Sequence, residues 1–99
     1  IINPFKNNSR QNFYKFIVVP KTISREKLHS KLLEFEINLS GYVYEIPLHK
    51  QPIFKKFNKV RFKNTEYLCD NHICLPIYYE MTKKQALFLI KKIEEIFEN

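Results

Sequence analysis

Gly41 is the only glycine in this chain of 99 residues, and no other feature limits the backbone as much. Turns that need a left-handed residue, or a backbone pressed against a ligand, cost little only at glycine. Loops that cradle a phosphate use several glycines, so the P-loop and the dinucleotide-binding turn are both excluded. The lone glycine opens "GYVYEIPLHKQPIF", residues 41–54, which also holds Tyr42, Tyr44, Pro47, His49, Pro52 and Phe54. Gly41 permits a tight turn into an extended run, Pro47 ends that run, and Pro52 suits the first turn of a helix. The stretch therefore reads as a rigid strand-to-helix corner.

Elsewhere the apolar pattern is regular. "FYKFIVVP" is rich in aromatic and β-branched residues and stops at Pro20, which predicts a first strand. A helix follows over 24–36, with Ser24 as its cap, Ile23 stapled to Leu28, and Leu28, Leu32 and Phe35 on one face. "GYVYEI" reads as a second strand, "QPIFKKF" as a brief helix, and "HICLPIY" as a further strand. Thr82 and Gln85 form a capping-box pair for a last helix whose apolar stripe is Ala86, Leu89, Ile90, Ile93 and Phe97. With 44% hydrophobic residues the chain can bury one core. The expected class is α+β, a two-layer sandwich of a small, mostly antiparallel sheet with two main helices. Residues 1–12, polar and Asn-rich around Pro4, read as a linker or extended arm before a domain at 13–99.

Charge and side-chain chemistry narrow the function. Seventeen Lys and Arg against ten acids give +7, which favours weak binding to polyanions without naming one. In "FKKFNKVRFK", residues 54–63, cations alternate with aromatics as in modules that stack single-stranded nucleic acid. A solvated lysine-rich loop with a few packed aromatics explains the same letters, so nucleic acid is not the expected partner. Cys69, His72 and Cys74 are zinc-ligand types, but a structural zinc needs four ligands and His49 would have to come from another loop. Two buried, reduced thiols are the simpler reading, and no metal is expected. His29 falls at the edge of a solvated helix face. Asp70 is the only aspartate and no nucleophile-elbow sequence is present, so no hydrolytic triad is predicted. There is no apolar run of membrane-spanning length, and "IINPFKNNSR" lacks the apolar centre of a signal peptide, so a cytoplasmic protein without a membrane partner is expected.

"YVYEIPLHKQPIF", then "HICLPIYYEMT" and a terminal amphipathic helix, resemble the C-terminal part of DegT/StrS-type sugar aminotransferases. In that family the small domain carries a Tyr-x-x-Pro-Leu-His-x-Gln-Pro segment, then a Leu-Pro strand and a Thr-started final helix. Tyr44, Pro47, Leu48, His49, Gln51 and Pro52 fall on the first motif, Leu75 and Pro76 on the second, and Thr82 on the third. Val43 stands where many members have histidine.

The resemblance implies the small domain of the aspartate-aminotransferase fold, and a pyridoxal-phosphate enzyme that aminates nucleotide-linked sugars for surface polysaccharides. It also implies that the cofactor's lysine, the acid facing its ring nitrogen and its phosphate-holding groups lie in a large domain that nothing here matches. This chain is thus expected to hold no cofactor and to be inactive alone, as a fragment or truncated remnant. Its partners are the large domain, the nucleotide sugar, and in one version a second copy at the face the large domain would cover. By the same resemblance Tyr44, His49 and Gln51 line the substrate cleft, while Gly41, Pro47 and Pro52 build the corner that carries them. Two plainer roles stay open: Tyr44 packing in a sheet, and His49 bonding a main-chain carbonyl. A different class of function, a stand-alone basic module for nucleic acid or another polyanion, is the alternative.

Overall fold

The computed structural model describes residues 12–99, so all but the last residue of the expected N-terminal arm lies outside the described residues. The elements, in order, are β1 (Phe16–Val18), α1 (Arg25–Glu34), two short 3₁₀ segments (Leu48–Lys50 and Pro52–Phe57), α2 (Lys63–Asn71), β2 (Ile73–Leu75) and α3 (Lys83–Glu98). The class is α+β, as expected, with a two-stranded antiparallel sheet in which Phe16 faces Leu75 and Val18 faces Ile73. No helix among the described residues is long and apolar enough to cross a membrane.

The core lies where both long helices meet one face of this sheet. Leu28 and Leu32 of α1, Ile73 and Leu75 of β2 and Leu89 of α3 are buried together, with Phe16, Val18 and Ile23 packed against them. Leu28 and Leu32 are four residues apart, so they stack on one side of α1. Ser24 caps α1 by accepting from the Lys27 amide, and Ile23 sits just before it as the staple requires. Thr82 and Gln85 make the reciprocal capping box on α3.

Three expectations need correction. The run "GYVYEI" is not a strand. Ser40 N–H bonds Cys74 O at 3.2 Å and Cys74 N–H bonds Gly41 O at 3.2 Å, so two residues oppose one, as in a bulge. Gly41 then takes φ +79°, and the next amide that a ladder could use, Val43 N–H, goes to a side chain, His72 Nε2, at 2.9 Å. The pairing stops there. The corner is therefore a pinned irregular loop, not a strand-to-helix turn.

The second correction is a third helix. α2 begins at Lys63 and ends at Asn71, a stretch to which the sequence assigned no element beyond the basic run that ends at Lys63. Its cap residue is Phe62, which has no side-chain capping bond, and so the usual start signal is missing.

The third concerns α3. Leu89, Ile93 and Ile96 reach the core, whereas Ile90 and Phe97, assigned to the buried stripe, are exposed. Apolar residues wrap too far around this helix for one stripe, and Leu87, Ile90 and Phe97 form a second, uncovered one.

Candidate functional site

The candidate site is the loop from Ser40 to Phe62, which leaves the sheet, turns through the two 3₁₀ segments and enters α2. It buries few apolar side chains, and polar contacts fix it instead. The densest cluster surrounds Glu66, on the first turns of α2. This carboxylate is only 6% exposed. His49 Nε2 lies 3.0 Å from Oε1, Arg61 Nε 3.0 Å from Oε2 and Lys50 Nζ 3.7 Å from Oε1. The Phe62 amide also donates to Oε1, at 3.4 Å, so Glu66 caps the helix start that Phe62 cannot.

Burial would lift the Glu66 carboxyl, but the His49 bond, the Phe62 amide and the Arg61 and Lys50 charges together hold it below the ordinary carboxylate value. Ionised, it only accepts, so His49 donates from Nε2. Phe62 packs edge-on against the His49 ring at 4.9 Å. Both ends of the 48–62 segment are thereby tied to α2.

A second anchor holds the upstream end. His72 caps the C-terminus of α2, and its Nδ1 lies 2.6 Å from Leu68 O. A carbonyl only accepts, so Nδ1 carries the proton. Nε2 is then free to accept from Val43 N–H. Tyr42 meets the His72 ring edge-on at 5.7 Å, and Arg25 lies over Tyr42 at 4.5 Å. Arg25 Nη1 donates to Cys69 O at 2.7 Å, and the group links α1, α2 and the loop.

Between these anchors stands Tyr44, 68% exposed, with exposed Ile46 and Leu48 beside it. Pro47 is buried beneath them and His49 is buried under the Glu66 cluster. Gln51 turns its amide back to donate to Ile46 O at 3.0 Å, closing the first 3₁₀ turn. Pro52 opens the second. The structure thus gathers Tyr44, His49 and Gln51 on one short loop but gives them different positions: Tyr44 outward, His49 inward, Gln51 along the backbone.

Cys69 and Cys74 are buried free thiols, each pushed up by burial. His72 faces the loop with both ring nitrogens occupied, and no three His, Cys, Asp or Glu side chains among the described residues gather as a metal site. The sequence did not point to Glu66 or to the two bonds of His72, and Arg61, read there as one cation of the basic stretch 54–63, is instead a partner of Glu66. One signal was present: Glu66 is the only acid between Glu45 and Asp70, within a stretch carrying Lys50, Lys55, Lys56, Lys59, Arg61 and Lys63. A lone carboxylate among so many cations marks a node.

Comparison with known proteins adds a lineage to this geometry. Residues 2–94 match the model of the DegT/DnrJ/EryC1/StrS aminotransferase family. The uncharacterized protein MJ1066 of Methanocaldococcus jannaschii is 32% identical over 77 residues, covering 75% of this chain and 19% of that protein. The chain thus spans 19% of the length of the relative it matches.

Proposed function

We propose a role that proceeds from one premise: this chain belongs to the DegT/DnrJ/EryC1/StrS aminotransferase family. On this reading it is the small C-terminal domain of a pyridoxal-phosphate sugar aminotransferase working in amino-sugar synthesis. The loop at 41–54 closes one side of the substrate cleft, and the chemistry belongs to the rest of the polypeptide. The observation that carries this is the pinned loop itself. Tyr44 is held outward between two buried anchors, on the segment where the family motif falls, and a side chain fixed in that way is suited to meet a bound molecule.

The residues described here do not fit the cofactor. No lysine among them is buried, and one glycine cannot shape a phosphate cup. When bound, pyridoxal phosphate supplies the electron sink for amino transfer; its holding groups fall to the large domain. Tyr44, by its ring face and hydroxyl, would contact the sugar or its nucleotide, and Gln51 and His49 would keep the turn beneath it in shape. The uncovered stripe of Leu87, Ile90 and Phe97 offers the large domain an apolar surface to dock on, as exposed apolar patches commonly do.

The test is the full-length polypeptide. The expected result is a yellow, cofactor-bearing protein that moves an amino group onto a nucleotide-linked keto-sugar. A full-length protein that neither binds the cofactor nor transfers an amino group would overturn the reading.

A further inference from the structure

His49 and His72 hold the two ends of one loop to the two ends of α2, and a proton changes the two contacts in opposite senses. His49 donates to a carboxylate, and a positive imidazole strengthens that contact. His72 accepts from a main-chain amide, and a proton on Nε2 would set two N–H donors against each other across 2.9 Å. The contact cannot survive that change, because Nδ1 already carries its own proton toward Leu68 O.

We propose that His72 is a positioning residue for Tyr44: its neutral imidazole fastens Val43, and protonation releases that end of the loop while the His49–Glu66 end stays tied. Tyr44 is next to Val43 in the chain and its side chain has no hydrogen bond among the described residues, so its direction depends on whether Val43 is held. The latch itself stands on geometry alone. Its consequence for a bound sugar rests on the aminotransferase reading above.

The surroundings support a latch that is neutral when closed. Arg25 of α1 lies over Tyr42, whose ring edges against His72. The arginine's partner Glu26 is out in solvent. Lys15, just before β1, donates from Nζ to Ser40 O at 2.9 Å. On α2 the nearby titratable groups are the buried Cys69 thiol and the exposed Asp70; on β2 there is the Cys74 thiol, kept neutral by burial. No carboxylate among the described residues bonds either nitrogen of His72, so nothing there balances a charged ring. The two bonds of Ser40 and Gly41 to Cys74 do not involve the imidazole. They confine the release to residues 42–46.

Hydrogen exchange at the Val43 amide tests this, measured on the full-length polypeptide from about pH 8 to about pH 5 and divided by the intrinsic exchange rate. The expected wild-type result is protection that falls roughly tenfold per pH unit once the imidazole takes up a proton. In His72→Gln, whose amide oxygen can still accept but cannot titrate, protection stays flat; in His49→Gln the fall persists. Flat protection in the wild type, or an equal fall in His72→Gln, overturns the proposal. The wild-type course requires no substitution, so it decides the matter even where a variant fails to fold. Exchange does not depend on amino transfer, so an inactive full-length protein would overturn the proposed function and leave this result standing. In an active enzyme, acid should raise the KM for the sugar in the wild type more than in His72→Gln, with kcat changing alike in both; an equal KM change would also count against the latch.

Discussion

Leu32 and Glu66 are both buried, but they hold different parts of the molecule by different means. Leu32 lies in the core made by α1, the two-stranded sheet and α3, where the side chains packed together are apolar and many residues share the burial. Glu66 lies under the loop at 46–62, where a few directed polar contacts take the place of a core. A core of the first kind fails as a unit. A node of the second kind fails locally, and leaves the rest folded. The lesson is that an apolar scaffold and a loop held by a few directed polar contacts are joined in one chain, an arrangement that, on the function proposed above, suits a segment facing a cleft.

Substitutions can break or sharpen this contrast. The largest effect is expected from Leu32→Ala, which leaves a cavity at a fully buried position and should cost about 2–5 kcal/mol in chemical unfolding of the chain. Loss of helix signal and loss of core packing should coincide. Helix signal and core packing lost in two separate transitions would contradict a scaffold that fails as a unit.

Glu66→Gln should come next. It leaves His49 and Arg61 without their charged acceptor, and should open the 48–62 segment to proteolysis while the circular dichroism of the helices changes little. Acid should do the same in the unaltered chain. In the folded chain the Glu66 carboxyl is held below its ordinary value of 4.5. Its contribution is therefore fully present above 4.5 and lost as pH falls through the depressed folded value. Loop cleavage that is constant through that acid range would contradict the role given to Glu66.

Gly41→Ala is smaller. Open space surrounds the added methyl group, but φ of +79° does not suit a residue with a Cβ, and a cost of about 1–2 kcal/mol is expected from equilibrium unfolding. The least effect on stability belongs to Tyr44→Ala. With its side chain mostly in solvent, the change should stay within about 0.5 kcal/mol. A large destabilisation there would mean that Tyr44 is part of the scaffold after all.

The same contrast explains what the sequence could reveal. Leu28, Leu32, Ile73 and Leu89 announce themselves by period, and Ser24, Thr82 and Gln85 by type and spacing, because burial and capping act through near neighbours. Nothing local tells Val43 to give its amide to a histidine 29 residues away, so its β-type neighbours suggested a strand that the structure does not contain. α2 was hidden for the related reason that its start is capped by its own Glu66 and not by the residue before it. The placement of Ile90 and Phe97 could not be read because α3 is apolar on more than one face. In the loop, Gly41, Pro47 and Pro52 marked the turns, while the burial of His49 and the exposure of Tyr44 depend on α2 and on long-range partners.

The central claim, that the loop at 41–54 faces a substrate cleft, is tested most directly by hydrogen exchange in the full-length, cofactor-loaded polypeptide with and without a nucleotide-linked sugar. The account predicts that the sugar slows exchange in peptides containing residues 42–48 and leaves those from the middle of α1 unchanged. Sugar binding that protects other parts of the polypeptide and leaves 42–48 unaltered would contradict it.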